Sequence, residues 1–142
     1  MKPSKPIPSL QVATQLAVFL ENRPGALARV GEALAAAGIN IHAVSISDTV
    51  DHSVVRLVLS DPHRALFLFE ERGTLVVESE VVLIESDNHP GTLAMLADRL
   101  AAGNVNIEYL YGSARPTAGQ SLLVLRVSDA HKAVKLLRGP RK

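Results

Sequence analysis

The sequence of 142 residues contains no cysteine and no tryptophan, and its other aromatic residues are two tyrosines and three phenylalanines. Without cysteine, a disulfide framework, thiol chemistry and thiolate metal sites are excluded. An excess of charge of either sign is also missing, because 15 basic and 14 acidic residues leave a net charge of +1. The chain therefore lacks the aromatic platform and the basic surplus that are typical of proteins binding nucleic acid.

Long apolar runs are missing as well. The longest stretches free of Asp, Glu, Lys and Arg, at 6–20 and 33–47, have 15 residues each, whereas a membrane-spanning helix needs about 20 apolar residues. Three prolines within the first eight residues interrupt any apolar segment of a signal peptide. We expect a cytoplasmic protein that does not bind membranes, with residues 1–9 as a flexible tail.

The sequence repeats itself. Asn-Arg-Pro-Gly-Ala-Leu-Ala, from residue 22, returns as Asn-His-Pro-Gly-Thr-Leu-Ala from residue 88, and 22–41 share ten identities in twenty positions with 88–107. A second echo relates Ser-Asp-Pro-His-Arg-Ala at 60–65 to Ser-Asp-Ala-His-Lys-Ala at 128–133. The chain is therefore a tandem duplication.

Each copy predicts the same elements. A short apolar strand precedes a helix with Asn22 or Asn88 as the N-cap and Pro24 or Pro90 in the first turn. Apolar residues at helical spacing predict the buried stripes of these helices: Leu27, Val30 and Leu34 in one, Leu93, Leu96 and Leu100 in the other. The ends of the helices are predicted at Gly38 and Asn104, and the next strands near Ile39 and Val105.

The second half of each copy predicts a strand, a helix and a further strand. The strands cover 54–59 and 122–127, and the helices begin after the capping residues Asp61 and Asp129. The resulting order β-α-β-β-α-β predicts an α+β protein of two ferredoxin-like units in tandem, with antiparallel sheets covered by helices on one face.

The expected domains are 10–79 and 80–142. The second copy ends after Gly139, where its fourth strand should begin, and residues 10–15 are expected to supply that strand. Equally open is the interpretation that 10–15 only lengthen the first strand. Apolar Phe19 and Leu83, on the face opposite the helices, predict a homodimer.

The repeated turn, followed by Gly-Ile-Asn-Ile at 38–41 and Asn-Val-Asn-Ile at 104–107, resembles the ACT domain. This family consists of small amino-acid-sensing modules that are attached to, or partner, enzymes of amino-acid metabolism. The resemblance covers residues 10–138. It implies a non-catalytic regulatory protein that binds a free amino acid without a cofactor and signals to a metabolic enzyme.

The resemblance implies that the two turns bind the ligand, and the residues supply a mechanism. The N–H groups of Gly25, Ala26 and Leu27, at a helix N-terminus, favour the ligand's carboxylate, and the side-chain carbonyls of Asn22 and Asn40 accept from its ammonium. Aspartate in place of Gly25 is expected to repel the ligand without unfolding the chain, since helix N-termini favour acidic residues. The predicted ligand-binding residues are Asn22, Pro24, Gly25, Ala26, Leu27, Asn40, Ile41, Asn88, Pro90, Gly91, Thr92, Leu93, Asn106 and Ile107.

Other functions find less support in the sequence. Five histidines carry no metal-ligand spacing, so no metal is expected. RNA-recognition modules share the topology, and Tyr109 and Tyr111 share a strand face, but the third strands carry no aromatic residue. Two alternatives stay open: the small regulatory subunit of acetolactate synthase, and an assembly module without a ligand.

Overall fold

The computed structural model describes residues 9–48, 52–87, 89–114 and 120–139, in which six strands and four helices form. Their order repeats β-α-β-β-α twice, which confirms the tandem ferredoxin-like fold. The elements are β1 (Ser9–Glu21), α1 (Ala26–Ala36), β2 (Ile41–Asp48), β3 (His52–Leu59), α2 (Pro62–Glu71), β4 (Val76–Asp87), α3 (Thr92–Ala102), β5 (Ile107–Ala114), β6 (Gln120–Val127) and α4 (Ala130–Arg138). Of the expected tail, residues 1–8 lie outside the described residues, and Ser9 already belongs to β1.

One compact unit, the N-terminal unit, spans Thr14–Ser79. In its sheet, β3 lies between β2 and β1 and is antiparallel to both, and β4 is the neighbour of β1 on the other side. Alternate residues of β1 and β3 point to the helices, so Leu16, Val18 and Val55 pack with Leu34 of α1 and Phe69 of α2. This order places β2 at an edge of the sheet.

The other compact unit, the C-terminal unit, consists of 80–139 together with 9–13 among the described residues. Its β6 lies between β4 and β5 and is antiparallel to both. Its core packs Val82 and Ile84 of β4 against the apolar faces of α3 and α4, and Leu10 and Val12 of β1 pack against this core. The long strands β1 and β4 thus each contribute one segment to each unit.

Local sequence signals account for the helix ends. The carboxylates of Asp61 and Asp129 accept hydrogen bonds from the backbone N–H groups three residues on, at 3.1 and 3.0 Å, which confirms both as N-caps. Gly38 and Asn104 adopt φ of 70° and 59° after α1 and α3, which confirms them as the residues that end these helices.

Two expectations about packing are wrong, and one strand boundary differs slightly. Leu27 and Leu93 are 46% and 50% exposed, because each is only the second residue of its helix and lies ahead of the buried stripe. The second strands begin at Ile41 and Ile107, two residues later than predicted, because the two residues after each left-handed residue connect helix to strand. Leu83 is only 9% exposed in the single chain, so it supplies little apolar surface for a dimer.

Candidate functional site

The two repeated turns have the same backbone geometry. In the N-terminal unit the chain leaves β1 at Glu21 and enters α1 after Gly25, which adopts φ of +88°. In the C-terminal unit it leaves β4 at Asp87 and enters α3 after Gly91, at φ of +92°. Only glycine adopts such values at low cost, so the glycine of the repeated motif is required by the turn itself.

The prediction that asparagine caps these helices is wrong for Asn22. The N-cap is Gly25, and no side chain makes a capping hydrogen bond to α1. Asn22 lies in a bend three residues ahead of the cap, and Pro24 lies in the turn rather than in the first helical turn. Because Gly25 is left-handed, the helix begins after it and not directly after Asn22. Pro90 occupies the same position before α3, whereas Asn88 lies outside the described residues.

The turns use some of the N–H groups that were predicted to bind the ligand. The N–H of Ala26 donates to the carbonyl of Arg23 at 3.4 Å, and that of Thr92 donates to the carbonyl of His89 at 3.1 Å. The Thr92 hydroxyl also accepts from the N–H of His89 at 3.3 Å. The N–H groups of Ala26 and Thr92 are therefore used within their own turns.

Two adjacent N–H groups in each helix remain as donors. The first intrahelical bonds run from Arg29 to the carbonyl of Gly25 and from Met95 to that of Gly91, at 3.1 and 3.0 Å. The N–H groups of the two residues before each first donor have no acceptor within the described residues. These residues are Leu27 and Ala28 in α1, and Leu93 and Ala94 in α3. Sequence reasoning missed Ala28 and Ala94 because it placed the caps three residues too early.

The predicted residues Asn40 and Asn106 lie far from the turns of their own units. The N–H of Asn40 donates to the Ser60 hydroxyl at 2.9 Å, and Asn106 makes the same contact with Ser128 at 3.0 Å. On β3, His52 pairs with Glu21 at the turn, whereas Leu59 pairs with Ile41 beside Asn40. Seven residues of strand separate these two levels, about 23 Å.

The same separation holds between the turn of α3 and Asn106, because Asp87 pairs with Gln120 and Ile107 with Val127. Within one unit, therefore, the asparagine at the start of the second strand and the N–H groups of the turn cannot bind the same small molecule. Ile41 and Ile107, the neighbouring predicted residues, are separated from the turns in the same way. The binding role of these four residues therefore stays a prediction, and it is one that a single unit cannot fulfil by itself.

Charged side chains flank both turns. Glu21 and Arg23 form an ion pair, with Oε2 and Nε 3.1 Å apart and both side chains more than half exposed. In the C-terminal unit Asp87 and His89 take their places, with the closest side-chain atoms 3.8 Å apart. Each turn thus carries an acidic side chain at the end of its strand, and this is the charge that an ammonium group requires.

A cavity of about 370 Å³ opens beside the turn of the N-terminal unit. It lies between the end of β1, one face of α1 and the connection from α2 to β4. Of the predicted ligand-binding residues only Ala26 lines it. The cavity and the predicted site are therefore neighbours but not the same place.

Other chemistry finds little support within the described ranges. No group of three or more His, Asp or Glu side chains there is placed to hold a metal ion; His131, for example, pairs with Glu80 alone, at 2.9 Å. In the same ranges no helix is both long and apolar enough to cross a membrane. The central strands β3 and β6 carry no aromatic residue on which a base would stack.

Comparison with known proteins agrees with this architecture. The family model of the ACT domain pair matches residues 11–138. A solved structure from Bacteroides thetaiotaomicron is 36% identical, with a TM-score of 0.84 over 91% of this chain and 88% of that chain. No curated protein matches.

The fold alone is shared with two regulatory subunits of aspartate kinase. The subunit from Thermus thermophilus, in its ligand-free form, is 16% identical, with a TM-score of 0.67 over 97% of this chain and all of that chain, a coverage of 100%. The subunit from Thermus flavus is 19% identical, with a TM-score of 0.63 over 94% and 97%. Because the family model spans nearly the whole chain, including both turns, this protein belongs to the ACT domain pair family.

Proposed function

We propose that the protein is a non-catalytic cytoplasmic regulator that binds a free α-amino acid at its repeated turns and signals to an enzyme of amino-acid metabolism. The observation that carries the proposal is the recurrence, in both units, of a left-handed glycine followed by two N–H groups without an acceptor among the described residues. Its fold, shared with regulatory subunits of aspartate kinase, supports the regulatory role.

The ligand's carboxylate binds at the N–H groups of Leu27 and Ala28, where the partial positive charge of the helix N-terminus favours an anion. Gly25 leaves the approach open, because a side-chain carbon placed there would meet nothing within 4 Å. The ammonium group lies toward the carboxylate of Glu21 and the side-chain carbonyl of Asn22. The same arrangement applies to Leu93, Ala94 and Asp87 in the C-terminal unit.

We further propose a homodimer formed through the edge strand β2. Ile41, Val44 and Ile46 on this strand are 44%, 51% and 53% exposed, an unusual run of apolar side chains for an edge that faces water. For Asn40 and Ile41 to keep their proposed role in binding, a second copy must supply them, because the register separates them from the turn of their own unit.

Light scattering at micromolar concentration is expected to give twice the 15.2 kDa mass of one chain. The double variant Val44→Glu, Ile46→Glu is expected to be a folded monomer, since both side chains are half exposed and their replacement leaves the core intact. A monomeric parent protein, or a variant that remains dimeric, would rule out this interface.

The glycine substitutions that the sequence suggests are unsuitable as tests of binding. Gly25 and Gly91 adopt φ near +90°, where aspartate costs about 1–2 kcal/mol in backbone strain. A loss of binding in these variants would therefore be hard to separate from a loss of stability. Leu27 and Leu93 are better positions, because both are about half exposed and lie in the first helical turn, where aspartate is favoured.

Leu27→Asp with Leu93→Asp is expected to abolish binding, because each new carboxylate occupies the N–H groups that the ligand's carboxylate needs. For the parent protein, a ligand at 100 times its dissociation constant stabilises the fold by about 2.7 kcal/mol. This corresponds to a rise in Tm of at least about 5 °C. A thermal-shift screen of the twenty amino acids on both proteins measures the difference.

The control is Phe67→Asp, which adds one aspartate at a 64% exposed apolar position of α2, away from both turns in the sequence. This control should keep the ligand-induced shift of the parent protein. If the double variant keeps the shift as well, the turns are not the binding site. If no amino acid shifts the parent protein, the chain is an assembly module instead.

A further inference from the structure

The cavity of the N-terminal unit has an apolar interior. Its apolar lining comes from β1, α1, α2 and the connection that follows α2, through Phe19, Leu20, Val30, Ala33, Phe69 and Leu75. Val30 and Phe69 are 6% and 2% exposed and belong to the core of the unit, so the cavity reaches the packed interior. At about 370 Å³ it is large enough for a small organic molecule.

The rim of this cavity is basic. Arg23, Arg29 and Arg72 line it, and Glu21 is the single acidic residue among the lining residues. Glu21 is paired with Arg23 at 3.1 Å. Arg29 and Arg72 have no carboxylate within ion-pair distance among the described residues. Two positive charges without a carboxylate partner in the described ranges therefore border an apolar cavity.

The duplication shows that the fold does not require this charge. In α3 the position that corresponds to Arg29 is Met95, and Arg23 corresponds to His89. The C-terminal unit places its arginines differently. Arg99 of α3, at the position of Ala33, donates to the carbonyl of Leu137 at 3.1 Å, and Arg138 ends α4 before Gly139. A positive charge at the end of α4 is favoured by the C-terminus of any helix, whereas an arginine at the position of Arg29 occurs in the N-terminal unit alone.

We propose that this cavity binds a small monocarboxylate with an apolar chain. Guanidinium groups recognise carboxylates through paired N–H donors, and the apolar lining takes the chain. A free amino acid fits poorly. Its ammonium group offsets the negative charge of its carboxylate, and it would lie beside the two positively charged arginines. The proposal does not rest on amino-acid binding at the turns.

The test uses isocaproate, which has the carbon skeleton of leucine without the amino group, in an NMR titration of the isotope-labelled full chain. We expect shifts of the amides of Gly73 and Thr74, which line the cavity in the connection from α2 to β4, with a dissociation constant of about 1 mM or lower. Added salt should weaken the binding. Isohexylamine, of the same size and opposite charge, should leave these amides unchanged, and so should leucine.

Arg29→Gln and Arg72→Gln should each weaken isocaproate binding by about tenfold. The matched control is Arg138→Gln, which removes the same charge before the glycine at the end of α4 and should bind like the parent protein. Equal binding of the amine, unchanged affinity in both cavity variants, or an equal loss in the control overturns the proposal. Leucine shifts confined to Leu27 and Ala28 report on the turns, so the two proposals fail separately.

Discussion

A chain that lacks residues 1–13 is expected to lose the structure of its C-terminal unit while the N-terminal unit stays folded. Residues 9–13 of β1 belong to the C-terminal unit, in which Leu10 and Val12 pack against the core. Their loss removes two partly buried apolar side chains and a strand's hydrogen bonds, about 4 kcal/mol or more. That is a large part of the 5–15 kcal/mol that typically stabilises a domain.

Hydrogen exchange followed by mass spectrometry resolves the two units in one experiment. Amides at 80–138 should lose their protection in the truncated chain, whereas those at 16–71 should keep it. The control is a chain that lacks residues 1–8 only, which leaves β1 intact and should exchange like the full-length protein. Equal protection of 80–138 in both truncated chains would mean that 10–15 merely lengthen the first strand.

Leu34→Ala and Leu100→Ala are each expected to cost about 2–5 kcal/mol in the free energy of unfolding. These repeat-equivalent residues are 1% and 0% exposed and lie in the cores of the N-terminal and C-terminal units. Truncation of either leaves a cavity that close-packed neighbours fill only in part. Urea denaturation of each variant measures the loss.

The controls carry the same substitution about two turns earlier in each helix. Leu27→Ala and Leu93→Ala should cost less than about 1 kcal/mol, since these side chains are 46% and 50% exposed. The sequence pattern alone predicts equal losses for all four leucines. If Leu27→Ala destabilises the protein as much as Leu34→Ala does, the helix does not begin where the structure places it.

Much of the fold was predictable because its signals are local. Asp61 and Asp129 cap helices through contacts three residues away, and Gly38 and Asn104 take the positive φ that ends a helix. The repeat at residues 22 and 88 places these signals at matching positions of two copies. Once they agree twice in one chain, the alternation of strands and helices leaves few topologies.

The site was less predictable, because it depends on geometry that the pattern does not contain. An asparagine followed by proline and glycine is compatible with two helix starts, and only the φ of +88° at Gly25 distinguishes them. The separation of Asn40 from the turn depends on the pairing of β1, β2 and β3. The cavity brings Arg72 together with Arg23 and Arg29, which lie far from it in the sequence, and no spacing rule reveals it.

The central claim is that a free amino acid binds through its carboxylate at the repeated turns. Amide NMR spectra of the isotope-labelled protein, recorded with each of the twenty amino acids, test it most directly. We expect at least one amino acid to shift the amides of Leu27 and Ala28, or those of Leu93 and Ala94, as a carboxylate hydrogen bond would. Spectra unchanged by all twenty, or shifts that leave these four amides unaffected, would contradict the claim.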